Sequence, residues 1–169
     1  MNVFEQLAPL FRYPDAEYRL RVQACAATPG LEMLAGFASE IASLDSSALQ
    51  ERFVDAFDLR PASTLDLGWH LFGERYERGA WLAELRAELQ RAGCDDSSEL
   101  PDHLTQVLTL LGRLDSDRAA SLARIVGPAI ESLHEALVRD GSPFRHALAA
   151  VRASLDAVGT ASTSGDRHA

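Results

Sequence analysis

Apolar residues recur at intervals of three and four along most of this chain, and proline, glycine or an Asp/Ser cluster punctuates almost every run. Val3, Phe4, Leu7, Leu10 and Phe11 make the first stripe, the spacing of a helix with one buried face. It predicts a helix over 2–12. Pro14 stops it, because proline donates no backbone hydrogen bond and turns the residue before it away from helical backbone. A second helix is predicted to start at once, with Pro14 in its first turn and Asp15 and Glu17 at its positive end. It carries Tyr18, Leu20, Val22 and Cys25 and ends at Pro29-Gly30. Leu31, Leu34, Phe37, Ile41 and Leu44 define a third, over 31–44. Asp45-Ser46-Ser47 is a cap, with the Ser47 to Gln50 spacing of a capping box. The fourth helix holds Leu49, Phe53, Ala56 and Phe57, and Pro61 terminates it.

A short helix over 64–72 follows, whose Leu65, Leu67, Trp69, Leu71 and Phe72 point in nearly every direction and require cover on most sides. Gly73 breaks it. The pattern then predicts a long helix over 74–92, with Tyr76, Ala80, Leu82, Leu85 and Leu89 inward and Gly93 as its stop. Pro101 fits the first turn of a helix carrying Leu104, Val107, Leu108, Leu111 and Leu114. Leu122, Ile125, Val126, Ile130, Leu133 and Leu137 mark another over 118–139, in which Gly127-Pro128 predicts a kink. The last uses Phe144, Leu148, Val151, Leu155 and Val158. No run of useful length has the period of a strand, and no segment repeats. The expected fold is all-α: a single-domain bundle of eight or nine helices over residues 1–158. The small, polar, aperiodic stretch over 159–169 is expected to be a disordered tail.

Composition narrows the function. The apolar residues are mostly Leu and Ala, which favours helix over sheet. Every one of the 16 basic residues is Arg, and the net charge is −9. That balance excludes a nucleic-acid partner, whose phosphates need a basic face, and it attracts cationic ones. Cys25 and Cys94 have no paired spacing and read as free thiols in a reducing compartment. The N-terminus lacks the basic start and continuous apolar core of a signal peptide. No apolar run reaches the roughly 18 residues that span a bilayer. A soluble, cytoplasmic protein with no membrane insertion is expected.

Signs of catalysis are few. The chain has no phosphate-binding glycine loop, no nucleophile elbow and no paired Cys-x-x-Cys. His70 and Glu74, four apart, are the best metal candidates, with His103 or Asp102 as a third ligand. A structural hydrogen bond from the imidazole outweighs that reading, so no metal, no organic cofactor and no enzyme activity are expected. The stretch from Arg52 to Leu104 still gathers large apolar residues, backbone-bending residues and charges in three places. From the residues alone, this is an acidic helical domain that binds something cationic and apolar.

Those three places and a segment near the N-terminus also carry a resemblance. Leu10-Phe11-Arg12-Tyr13-Pro14-Asp15, Phe53-Val54-Asp55-Ala56-Phe57-Asp58, His70-Leu71-Phe72-Gly73-Glu74 with Arg78-Gly79, and Glu99-Leu100-Pro101-Asp102-His103-Leu104 occur in order. Together they resemble the signature segments of the NarJ type of the TorD/DmsD/NarJ molybdoenzyme-assembly chaperones, over about residues 3 to 150. Arg60-Pro61 and Thr105 depart from the family's pattern. The resemblance implies a TorD-like bundle without catalytic activity. Its groove would hold the N-terminal peptide of the catalytic, molybdenum-containing subunit of respiratory nitrate reductase until the molybdenum cofactor is inserted. A sibling chaperone for another, exported molybdoenzyme is the alternative, and a helical metal-dependent enzyme a more distant one. Molybdenum cofactor biosynthesis proteins are further implied partners. Carried onto this chain, the groove residues are Phe57, Leu71, Phe72, Asp102 and His103, with Asp102 expected to accept hydrogen bonds from a leader arginine. Tyr13, Asp58, His70, Gly73, Glu74, Arg78, Glu99 and Pro101 support them.

Overall fold

A computed structural model describes residues 1–94 and 97–164, with side chains to 160. Among these residues the chain forms nine α-helices and no strand. The helices are α1 (Val3–Leu7), α2 (Tyr18–Ala26), α3 (Leu34–Ala42), α4 (Ser46–Phe57), α5 (Leu67–Phe72), α6 (Glu77–Arg91), α7 (Leu104–Arg113), α8 (Ser116–Arg139) and α9 (Arg145–Ser164). Two 3-10 turns, Ala8–Phe11 and Pro61–Ser63, join them. The all-α bundle expected from the periodicity is what forms.

Side-chain caps start several helices. Asn2 and Glu5 form a reciprocal box around α1, while Asp45 and Asp115 accept amides at α4 and α8. Each satisfies backbone donors that the first turn leaves free. Helices α8 and α9 pack together as a hairpin joined by a short loop, and Phe144 at that loop enters the centre of the molecule, fully buried. There it meets Phe37, Phe53 and Phe57, with ring centroids 5.3, 5.5 and 5.1 Å away. Buried Tyr18 donates its hydroxyl to Leu10 O at 2.6 Å, tying α2 to the first 3-10 turn.

The structure moves several expected boundaries. Pro9 divides the first predicted helix into α1 and a 3-10 turn. The second helix begins at Tyr18 rather than Pro14, and its buried stripe is Tyr18, Val22 and Cys25, with Leu20 at 66 % exposure. Gly73 adopts φ +59, ψ −133, backbone that only glycine takes without strain, and it ends α5. Consequently α6 starts afresh at Glu77, Tyr76 points out at 90 % exposure, and the buried stripe is Trp81, Leu85 and Leu89. Pro101 precedes α7 instead of opening it; His103 is the cap. Helix α8 runs unbroken through Pro128. Helix α9 continues to Ser164, past the expected end near Val158, because a packed helix extends at little cost once nucleated. The rest of the expected tail, 165–169, lies outside the described residues.

Candidate functional site

Four segments distant in sequence enclose a cavity of about 760 Å³. Its floor is aromatic: Phe11, Phe53 and Phe57 are each almost fully buried, yet line it. Phe57 stands edge-on to Phe53 at 5.0 Å and to Phe11 at 6.2 Å, and Tyr13 leans edge-on to Phe53 at 6.0 Å. One wall is Thr64, Leu65 and Asp66, ahead of α5; the other is Ser97, Ser98 and Glu99, with His103 and Thr105 at the start of α7. Against one lining cation, Arg12, the cavity sets Asp15, Asp58, Asp66 and Glu99. Arg21 engages Asp15 at 2.6 Å and holds its carboxyl below the usual range. The cavity therefore offers an apolar base under an acidic rim.

A backbone bridge joins the two walls. Asp66 and His103 pair as an isolated antiparallel bridge: Leu67 N donates to Asp102 O at 2.9 Å and Leu104 N to Leu65 O at 2.8 Å. Asp102 reinforces it from behind. Its side chain is wholly buried, and Oδ2 accepts Gly68 N at 3.0 Å, Arg78 Nε at 3.1 Å and Arg78 Nη2 at 3.0 Å. Only glycine fits at 68, since a Cβ there would fall on that oxygen. Burial pushes the Asp102 carboxyl upward more than the Arg78 guanidinium pulls it down.

His103, next in the chain, faces the cavity. Its Nδ1 accepts the Thr105 amide at 3.3 Å and lies 2.8 Å from Thr105 Oγ1, which caps α7. With Nδ1 accepting, the neutral ring carries its proton on Nε2, which is 3.9 Å from Glu99 Oε2. Burial lowers the His103 pKa, against the opposing pull of Glu99, Asp66, Asp102 and Asp58. At neutral pH the cavity thus presents a neutral ring among carboxylates.

The residues expected in one groove separate into three places. Phe57 and His103 meet at the cavity, together with Tyr13, Asp58 and Glu99. Asp102 does not line it; its buried side chain is held inside the fold by Arg78 and Gly68. Nor do Leu71 and Phe72. Phe72 packs on Trp81 with centroids 5.7 Å apart, under the Arg75 guanidinium, because the break at Gly73 folds α6 back over it. His70 Nε2 lies 2.8 Å from Thr64 O and stiffens one cavity wall, while Glu74 is exposed and Pro101 buried. Among the described residues no group of three or more His, Cys, Asp or Glu could hold a metal ion. None of the described helices is long and apolar enough to cross a membrane. Phe11 and Phe53, which lie within the family-like segments but were not expected in the groove, and Asp66, outside those segments, are further residues of the site. Phe53 is four residues before Phe57 and shares its helix face, a signal that was available; Asp66 had none.

Comparison with known proteins bears on this arrangement. A family model described as nitrate reductase delta subunit matches residues 23–150, which include the cavity segments from α4 to α7. The nitrate reductase molybdenum cofactor assembly chaperone NarJ of Escherichia coli K12 is 29% identical over 145 residues, 80% of this chain and 61% of that protein. Nitrate reductase-like protein NarX of Mycobacterium tuberculosis H37Rv is 30% identical over 135 residues, 78% of this chain and 20% of that one. The probable assembly chaperone NarW of Escherichia coli K12 is 26% identical over 147 residues, 85% of this chain and 64% of that one. The chain spans about three fifths of the length of NarJ. With the match extending over most of its length, this chain belongs to the nitrate reductase delta subunit family.

Proposed function

We propose that this chain is an assembly chaperone that works without catalysis. It holds the N-terminal segment of the catalytic, molybdenum-containing subunit of a nitrate reductase, in the cytoplasm, until the molybdenum cofactor is inserted. Proteins of molybdenum cofactor biosynthesis would meet it at that stage. The observation that carries this reading is the aromatic-floored, acid-rimmed cavity, built from Phe57, Asp58, Glu99 and His103 of the family-like segments. Such a cavity suits a peptide with apolar side chains for the floor and cationic ones for the rim. The chain's similarity to NarJ and NarW, named as assembly chaperones for nitrate reductase, points the same way.

The energetics fit a client that must later leave. Burying about 600 Å² of apolar surface at about 25 cal/mol per Å² yields near 15 kcal/mol gross. Association and ordering cost roughly 4–15 kcal/mol of that. The direct test is isothermal titration of the chain with a synthetic peptide of the first residues of its host's nitrate reductase catalytic subunit. Micromolar or tighter binding, weakened by Tyr13→Ser with the melting temperature preserved, supports the reading. No heat of binding, together with no capture of the full-length subunit, overturns it. Preference for the leader of a different molybdoenzyme would reassign the client.

A further inference from the structure

A second cavity, about 400 Å³, lies beside the first and shares Phe57, Asp58, Thr64 and Asp66 with it. Both volumes fall in the range of roughly 300–1,000 Å³ typical of ligand sites. The second has its own apolar surface in Leu59, Pro61 and Trp69, with Leu59 at 65 % exposure. Tyr13 stands at the far side of the first, 55 % exposed. The two cavities therefore adjoin as one trough, with the four shared residues as the ridge between them. His70 steadies that ridge through the Thr64 carbonyl at 2.8 Å.

The ridge carries two carboxylates in different states. Asp66 has Arg78 3.9 Å away, and Arg78 is itself committed to Asp102. Asp58, exposed at the C-terminal end of α4, has neither ion pair nor side-chain hydrogen bond among the described residues. Of the nearby cations, Arg60 pairs with Asp140 at 2.5 Å, while Arg12 lines the first cavity, which also holds Asp15, Asp66 and Glu99. Asp58 is thus a carboxylate without an ion pair at the residues that the two cavities share.

Resting on the chaperone reading above, we propose that the bound segment crosses this ridge and is recognised by an apolar–cationic–apolar pattern. Asp58 is the residue that reads the cation. One apolar side chain enters the Phe53/Phe57 cavity, the next packs on Leu59, Pro61 and Trp69, and an arginine or lysine between them meets the Asp58 carboxylate. Arg78, bordering the second cavity, keeps the cation on the ridge by repelling it from the far side. Asp102, buried behind the wall and bonded to Gly68 and Arg78, takes no part in contacting the ligand.

The test is a double-mutant cycle on the intact chain. The probes are two capped synthetic peptides with a large apolar residue on either side of one central position, which is arginine in one and leucine in the other. Asp58→Asn should weaken the arginine peptide by tenfold or more and leave the leucine peptide within about twofold, a coupling of about 1.4 kcal/mol per decade. Asp58→Glu should restore most of the loss, and Asp66→Asn should produce a smaller one. Equal losses for both peptides, no loss for either, or no binding of either peptide to the wild-type chain would overturn the proposal. Capture of the full-length catalytic subunit in parallel separates the two ideas. Capture without coupling at Asp58 removes only this inference; coupling without capture removes the nitrate reductase assignment and keeps the peptide pattern.

Discussion

Asp102 is fully buried and accepts three hydrogen bonds, and the cause of its pKa shift says which matters more. Burial outweighs Arg78, so the negative charge itself is costly there. What the side chain supplies is an acceptor that fixes Gly68, and through it the turn into α5. Asp102→Ala should then cost about 3 kcal/mol, the lower end for a broken buried pair, since Arg78 is 24% exposed and can turn to water. Asp102→Asn, which keeps an acceptor, should cost less; urea denaturation of both variants checks the order. His103 makes the complementary prediction. Its folded pKa lies below the ordinary 6.5, so the unfolded chain takes up the proton first. The stability it contributes is present above that value and is lost as pH falls toward the folded pKa. The ring should titrate below 6.5 by NMR, and His103→Gln should flatten the fall of melting temperature on acidification. The His103 neighbourhood was legible as a motif, whereas the inward turn of Asp102 was not. Pro101 ends the loop and His103 caps α7, so Asp102 points away from the helix that it was expected to open.

Among the elements, stripes bounded by proline, glycine and caps were read correctly as helices because burial of one face and the fixed geometry of those residues act locally. Where the reading slipped, the cause was also local. Leu85 and Leu89 are buried as the pattern predicts, but Tyr76 and Ala80 fit the same stripe as well as Trp81 does until the chain reversal at Gly73 fixes the start and rotation of α6. Trp81→Ala should destabilise the fold by about 3–5 kcal/mol, the cost of emptying a buried aromatic site. Tyr76→Ala should stay within about 0.5 kcal/mol, as an exposed side chain does. Thermal melts of the two variants decide between the rotations.

Across the whole molecule, the net charge of −9 was visible in composition, yet its placement at a cavity was not. The cavity draws on residues near positions 11–15, 53–58, 64–66 and 97–105, which tertiary packing alone brings together. The acidic rim predicts how a cationic peptide arrives. Raising the ionic strength from roughly 0.05 to 0.5 M shortens the screening length several-fold. The association rate of the client peptide should fall by about tenfold or more while its dissociation rate changes less. Stopped-flow fluorescence at several salt concentrations measures both; a salt-independent association rate would place the contact away from the rim.

The single backbone bridge between Asp66 and His103 has a consequence in time. Its two amides, Leu67 and Leu104, belong to fully buried residues but join segments that otherwise follow different helices. Parting the walls breaks these two bonds, and those Asp102 accepts from Gly68 and Arg78, without melting either helix, so hydrogen–deuterium exchange at Leu67 and Leu104 should report a local opening cheaper than global unfolding. An occupant of the cavity that favours the closed walls should slow exchange at those two positions by its own mass-action factor. Amides in the α8–α9 hairpin, which exchange only through larger openings, would serve as the internal clock.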